Sequence, residues 1–380
     1  MLREFVPDAL KPGLRYGRDL AIAGVLPIME RSNAADFASE VIRNIAAKRK
    51  AVVASPTWDR MRFPQGEPKF SPLAAYKVLS FIRRNADDLN QAARLLADLQ
   101  SRRLLSDILA FRALGPRHVT LQLDLELKAK VEAAQATTTG SSDTDFPPFA
   151  FARHAVEFEG SEINLECWTI NVYGTFVERQ YYFERNGVTI RPQPGDVVID
   201  AGGCFGDTAL AFASSVGQTG HVYVFEPIPR QRHILAGNVK RNPSIGSRIT
   251  VSDRAVSDTS DVDVTFTDGG AGARQTKAGQ VAAKTISIDA FVARHSVPKV
   301  DFIKMDIEGA ETSALQGAAE TIRNHRPKLA ISIYHSLGEL VSIPILVHSL
   351  LPGYRLFVDH HTAHSEETIL YATPAKVRSP

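Results

Sequence analysis

The chain of 380 residues has only two cysteines, Cys167 and Cys204. Neither belongs to a pair-spaced motif, so no disulfide framework is expected and a reducing cytoplasm is the simplest setting. Charge of one sign is also lacking. Lys and Arg number 44 against 42 Asp and Glu, a net of +2, which gives no reason to expect nucleic acid or a membrane surface as a partner. Long hydrophobic runs are missing as well. AIAGVLPIM, from Ala21 to Met29, is too short to span a bilayer and contains Pro27. Near the start, Arg3, Glu4 and Asp8 interrupt any secretory apolar segment. A soluble chain with no membrane span and no internal repeats is expected, and self-association into a homo-oligomer is left open.

What is present divides the chain by pattern. Residues 1–136 read as a smaller helical domain. Phe37, Val41, Ile42 and Ile45 share one helical face, with Ser32 or Asn33 as N-cap. Ser71-Pro72 opens a second helix with cap and first-turn proline in order. Leu89, Ala92, Ala93, Leu96 and Leu99 form a third stripe; Leu104, Leu105, Ile108, Leu109 and Phe111 form a fourth. Val119, Leu121, Leu123, Leu125 and Leu127 alternate as in a strand, although the charges between them also suit a helix. TTTGSSDTDFPP, residues 137–148, reads as a linker. Residues 149–194 supply entry strands and a helix. Beyond Gly195, apolar strands alternate with helices, which predicts an α/β domain over 195–380 with a mostly parallel, Rossmann-like sheet. Its last two strands, YRLFVDHH and TILYAT, are joined by a short loop and should pair antiparallel.

The informative stretch is VVIDAGGCFGDTALAFA, Val197 to Ala213: an apolar strand, an acid, a glycine turn, then a helix. A dinucleotide fingerprint wants glycines at its first, third and sixth positions, and Ala201 stands in the first. Pyrophosphate also sits on backbone N–H groups at a helix N-terminus, where anions are favoured. Here Asp200 closes the strand and Asp207 opens the helix, an unfavourable pair for phosphates. S-adenosyl-L-methionine carries an ammonium and a sulfonium and no phosphate, so the same acids suit it. Glu226, 20 residues after Gly206 in VYVFEP, has the spacing of a ribose-binding carboxylate. Asp200, Gly202, Gly203, Cys204, Phe205, Gly206, Asp207, Glu226 and Asp253 are the expected cofactor-binding residues.

The segments VVIDAGGCFGDTAL, VYVFEP, VDFIKMDIEGAE, ISIYH and EETILYA occur in order between Val172 and Thr373. Together they resemble the FkbM-type S-adenosylmethionine-dependent methyltransferases, and SRRLLSDILAFRALGPRHV resembles a helical region preceding the catalytic domain in some members. The resemblance implies a class I methyltransferase sheet of seven strands and O-methylation of a sugar, glycan or natural-product scaffold, with a small-molecule or glycan acceptor. Related sugar methyltransferases hold magnesium with carboxylates after the fourth and fifth strands. This sequence has Tyr-His after the fifth strand and no acid pair, so no metal is expected.

Methylating a hydroxyl requires alignment and a proton acceptor. Asp306 closes an apolar strand at the crevice edge, where open α/β sheets bind ligands. His335 and His360 close later strands, and an imidazole with an ordinary pKa of about 6.5 suits a base. Asp306, His335 and His360 are therefore the catalytic candidates, with His335 the favoured base. His361 and His364 are read as packing. Lys304 alternates with Asp306, its nearest expected partner. Tyr173 and Tyr181, from a stretch matching the family form VYxTFVxxQY, join Lys304 and Glu308 as substrate-binding candidates. Two rivals stand beside this reading: a dinucleotide-dependent oxidoreductase or sugar epimerase, and a non-catalytic scaffold whose helical region recruits partners.

Overall fold

The computed structural model describes residues 36–67, 70–267, 272–276 and 278–375. The N-terminal segment containing Ala21 to Met29 and the expected caps Ser32 and Asn33 lies outside them. The first helix, α1 (Phe37–Lys50), is capped instead by Asp36, whose carboxylate accepts from the Ser39 N–H at 2.8 Å. Ser71 caps α2 (Pro72–Arg84) with proline in the first turn, as the sequence predicts. α3 (Ala86–Leu95) and α4 (Leu99–Leu114) follow, separated at Asp98, which caps α4 by accepting from Ser101. Leu99, expected on the third apolar stripe, opens the next helix and is exposed.

The alternating segment after Gly115 is not a strand. It enters α5 (Asp124–Ala136), leaving Leu123 and Leu125 exposed and only Leu127 of that pair of turns buried. The expected linker is partly ordered, since β1 (Thr138–Ser141) pairs antiparallel with β2 (Phe151–Phe158), which forms a hairpin with β3 (Ser161–Trp168). Next come α6 (Thr169–Val172), a π turn over Tyr173–Val177, and the short pair β4 (Phe183–Arg185) and β5 (Val188–Ile190).

The catalytic-type sheet begins with β6 (Val197–Ala201), every residue of which is buried, as a strand covered on both faces must be. It continues through α7 (Asp207–Ser215), β7 (His221–Phe225), α8 (Pro229–Arg241), α9 (Pro243–Gly246) and β8 (Ile249–Ser252). ITVSDRAV then breaks, and β9 (Ala255–Val256) leaves to form a three-stranded sheet with β10 (Asp263–Phe266) and β11 (Val281–Ile286), a hairpin the sequence reading did not contain. After α10 (Ile288–Arg294) and β12 (Phe302–Met305), the expected helix from Gly309 to His325 is two helices, α11 (Glu311–Gln316) and α12 (Ala319–His325). β13 (Lys328–Ser332), α13 (Glu339–Leu350), β14 (Tyr354–His360) and β15 (Thr368–Pro374) complete the chain.

Seven strands run in the order β14-β15-β13-β12-β6-β7-β8. β15 lies antiparallel between β14 and β13, and the other pairings are parallel. The helices α1–α4 are continuous with one face of this sheet. Their buried residues, among them Ile45, Leu79, Leu105 and Ile108, share one hydrophobic cluster with Ile303, Ile331, Leu356 and Val358. The Ala97 N–H even donates to the Leu356 carbonyl at 2.8 Å. Arg185, from β4, ties the same seam by donating to Ser101 Oγ and the Val358 carbonyl and pairing with Asp359 at 2.8 Å. The β2–β3 hairpin and α7 cover the opposite face. Among the described residues no helix is long and apolar enough to cross a membrane.

Candidate active site

Strand order reverses at β6 and β12, where the glycine turn and Asp306 leave the sheet side by side. They touch: a Cβ on Gly202 would lie 1.9 Å from the Asp306 carbonyl oxygen, and its φ of +90° also favours glycine. Gly206, at φ +86°, lets the chain turn straight into α7. Much of the turn is tied up internally. Gly202 and Gly203 donate to the Phe225 carbonyl, Gly206 to the Gly203 carbonyl, and Cys204 to Glu226 Oε2 at 2.8 Å. These four N–H groups are not free for a pyrophosphate, which adds a geometric argument to the charge objection.

Two cavities open at this switch point. The larger, of about 520 Å³, is lined by Gly202, Cys204, Asp207, Tyr173, Thr175, Tyr181, Lys304, Asp306, Glu308, Tyr334 and His335. Arg62, Arg112, Arg274, Thr362, Ser365, Glu366 and Glu367 also line it. The smaller, of about 290 Å³, runs past Gly202, Phe225, Pro227, Arg254, Ala255, Val256, Ile307 and Glu308. Gly202 and Glu308 border both.

Of the expected cofactor residues, Gly202, Cys204 and Asp207 line the larger cavity, and others do not. Asp207 faces the larger cavity, accepting from Thr175 Oγ1 at 2.5 Å and Asn171 Nδ2 at 3.3 Å. Burial pushes its carboxyl upward against the Thr175 hydrogen bond. Glu226 is 4% exposed and gives its oxygens to the Cys204 and Ile228 N–H groups. Burial raises its pKa to about 7 despite those donors. Phe205 points away, packing edge-on against Phe146, Phe151 and Trp168. Asp253 is exposed and borders a separate groove with Arg232 and His295, so the structure does not bring it to the turn.

Lys304 is paired differently from the expectation. The β6–β12 register places it opposite Asp200, and its Nζ lies 3.0 Å from Asp200 Oδ1 and 2.6 Å from the Gly202 carbonyl. Burial lowers its pKa, but Asp200 and then Asp306 outweigh that and hold it above the ordinary value. This lysine braces the turn from below.

Asp306 accepts from Tyr181 Oη at 2.8 Å and from Tyr334 Oη at 3.1 Å, and His335 Nε2 stands 3.3 Å away. Burial favours its acid form, but His335, Lys304 and Tyr181 outweigh this and hold it below the usual carboxylate range. Tyr181 reaches the site because the π turn inserts an extra residue, with the Glu178 N–H donating to the Tyr173 carbonyl. Tyr173 is buried and its hydroxyl donates to the His361 carbonyl at 3.3 Å.

The favoured base does not have the expected chemistry. The His335 side chain is 3% exposed and is surrounded by Asp306 at 3.3 Å, Glu311 at 3.2 Å, Glu308 at 3.7 Å and Glu339 at 3.8 Å. Burial alone would lower its pKa, but Asp306 and Glu311 dominate and raise it to about 11. His335 is therefore an imidazolium at neutral pH, and an imidazolium has no lone pair to accept a proton. His360 fails for the opposite reason. It does not line either cavity, its Nδ1 meets Thr368 Oγ1 at 2.8 Å, and burial, then His361, lowers its pKa to about 3. His361 bridges Glu178 and Tyr371, and His364 packs on Phe63, as packing residues do.

Glu308, expected to touch substrate, has the properties His335 was given. Burial and then the charge of Asp306 raise its pKa to about 7. It adopts φ +59°, a conformation rare for side-chain-bearing residues. Glu311 holds that loop by accepting from the Ile307 and Gly309 N–H groups at 2.7 and 3.0 Å. One ligand atom each from Asp306, Glu311 and His335 lies within 4.8 Å of the others, but these atoms already serve the loop, the tyrosines and the ion pairs.

Arg62, Arg112, Tyr334, Glu366 and Glu367 were not read as site residues. Arg112 did leave a signal: a cation in the last turn of α4, three and four residues after Leu109 and Ile108, both 0% exposed. Arg62 comes from an irregular segment with no such pattern.

The sheet order, with an acid-flanked glycine turn at the switch point, defines the class I methyltransferase fold. Residues 200–362 match the methyltransferase FkbM domain. S-adenosyl-L-methionine is the cofactor of the class, and an acid-flanked turn with four N–H groups used internally suits it. No curated protein matches the chain. Among solved structures it is similar to a methyltransferase FkbM from Methylobacillus flagellatus KT, at 22% identity and a TM-score of 0.50, over 77% of this chain and 60% of that one. The chain thus spans less than two thirds of that relative's length. Fibrillarin from Aeropyrum pernix, solved with natively bound S-adenosyl-L-methionine, is matched over 62% of this chain and 99% of its own, at 17% identity and a TM-score of 0.32.

Proposed function

We propose that the protein is an S-adenosyl-L-methionine-dependent O-methyltransferase acting on a hydroxyl of a small-molecule acceptor, a sugar, glycan or natural-product scaffold. The observation that carries this reading is the meeting of the glycine turn with a carboxylate-rich rim in one cavity of about 520 Å³. Bound there, the cofactor supplies a methyl group activated by its sulfonium. Asp207, with the turn at Gly202 and Cys204, would hold its methionine part, and the smaller cavity past Pro227 and Ala255 would take the adenosine.

Asp306 stays ionised and orients the acceptor, because Tyr181, Tyr334 and the His335 imidazolium fix its position. Glu308, with a pKa of about 7, accepts the hydroxyl proton as the oxygen gains its methyl carbon. His335 is thus the charge that keeps Asp306 anionic, and the proton goes to Glu308. The two unpaired cysteines fit a reducing cytoplasm.

Calorimetry tests the cofactor half of the reading. S-adenosylhomocysteine should bind and NAD should give no heat, since Asp207 and four internally bonded turn N–H groups disfavour a pyrophosphate. Tight NAD binding with no heat from the sulfur nucleoside would overturn the assignment in favour of an oxidoreductase or epimerase.

A further inference from the structure

The charges around the larger cavity are almost all accounted for. Arg62 meets Asp59 at 2.6 Å, Glu366 at 3.2 Å and Glu367 at 2.5 Å. Arg274 lies 3.5 Å from Glu308, Lys304 3.0 Å from Asp200, and His335 among its four acids. Among the described residues that line the cavity, Arg112 is the cation with no carboxylate within 4 Å.

Its surroundings make that omission costly. Nη2 donates to the Tyr334 carbonyl at 2.5 Å and to the Ser365 carbonyl at 2.9 Å. Nε is buried and has no hydrogen-bond partner, and no protein acceptor meets Nη1 among the described residues. Burial depresses even this guanidinium, to about 10, against the distant pull of Glu366 and Glu339. A desolvated cation without a counter-charge is unfavourable unless something else supplies one. The two carbonyls take both Nη2 hydrogens and fix the plane of the guanidinium, which leaves Nη1 to meet a partner from the cavity. A cation held so suits an oxygen of a carboxylate or phosphate. The carbonyl it grips belongs to Tyr334, whose hydroxyl touches Asp306, so Arg112 stands on the acceptor side of the proposed chemistry.

We infer that the acceptor carries an oxyanion, a carboxylate or a phosphate, that docks on Arg112 while its hydroxyl is presented to Asp306 and Glu308. This rests on the methyltransferase reading and narrows its acceptor to an acidic molecule, such as a uronic acid residue or a sugar phosphate. Ser365, whose carbonyl Arg112 grips and which lines the same cavity, offers a hydroxyl to a remaining oxygen.

The test uses the full chain with labelled S-adenosylmethionine and matched acceptor pairs: methyl glucuronide against methyl glucoside, methyl galacturonide against methyl galactoside, and glucose 6-phosphate against glucose. Acidic members should be methylated in preference to neutral ones, and the uronides and the phosphate decide which oxyanion is taken. Arg112→Met should raise KM for the acidic acceptor about 10–100-fold, the scale of a lost charge-assisted hydrogen bond, with kcat little changed. Arg112→Lys should recover part of that loss, because charge returns without the planar group that the two carbonyls position. Neutral acceptors preferred by the wild type, no member of any pair methylated, or Arg112→Met and Arg112→Lys harming acidic and neutral acceptors alike would each overturn the inference. Titration with S-adenosylhomocysteine separates this from failure of the wider reading. A wild type that binds it but ignores the oxyanion refutes only Arg112's role, whereas one that does not bind it refutes the cofactor assignment.

Discussion

The two buried acids Glu226 and Asp306 stand at neighbouring strand ends but are satisfied by different kinds of donor. Glu226 gives both oxygens to backbone N–H groups, of Cys204 and Ile228, and in doing so fixes the path of the chain. Asp306 gives its oxygens to side chains, the hydroxyls of Tyr181 and Tyr334, with the His335 imidazolium 3.3 Å away as its counter-charge. A carboxylate that shapes the backbone is committed. One held by rotatable hydroxyls can share its lone pairs with an incoming acceptor at little cost. On the proposed reading the cofactor side is thus set in the fold, and the acceptor side by side chains from several segments.

The strongest way to break this contrast is Glu308→Gln, which keeps the shape of the rim and removes the proposed proton acceptor. Turnover should fall about 10²–10⁴-fold, the usual contribution of a positioned base, while S-adenosylhomocysteine affinity stays the same. In the wild type, turnover should rise with pH through about 7 as Glu308 ionises, and the residual activity of the variant should lose that limb. A limb that survives in Glu308→Gln and vanishes in a His335 variant would return the base to the histidine.

Glu226→Ala probes the committed side. It should weaken S-adenosylhomocysteine binding by about 1.5–3 kcal/mol, the scale of hydrogen bonds to a charged group, because the Cys204 and Ile228 N–H groups lose their acceptor. Unchanged affinity would mean that the turn keeps its shape without the glutamate.

The smallest effect concerns stability. His335 has a folded-state pKa near 11 against an ordinary 6.5, so its contribution is complete below about pH 6.5. As pH rises further, the unfolded chain releases a proton that the folded protein keeps, and the contribution declines until it is lost through about 11. Denaturant midpoints should therefore show the advantage of wild type over His335→Gln shrinking as the pH rises. An advantage that grows with pH would show that the buried ring is neutral.

What could be read in advance follows the same division. VVIDAGGCFGDTAL was legible because strand, turn and helix are contiguous, and local rules for glycine and buried strands govern them. β6 and α7 begin where that stretch places them. The antiparallel closing strand was legible from the short loop before it. The partner of Lys304 was not, because Asp200 lies across a strand pairing whose register no local rule supplies. The state of His335 was hidden for a related reason. Its charge depends on Asp306, Glu308, Glu311 and Glu339, which converge only when β12, β13 and α13 are assembled. The β10–β11 hairpin escaped because its strands are short and half exposed, with little apolar pattern.

The seam between α1–α4 and the sheet bears on how such a protein can be divided. The segment that matches the family domain begins at residue 200 and ends at residue 362, yet Leu356 and Val358 within it are covered by helices that precede these two residues by more than two hundred positions. Cut out alone, that segment would expose a greasy sheet face and lose Arg112 with it. Recognition by sequence and independence in folding therefore have different boundaries in this molecule, and the cavity that Arg112 lines cannot be exchanged without carrying the helices along.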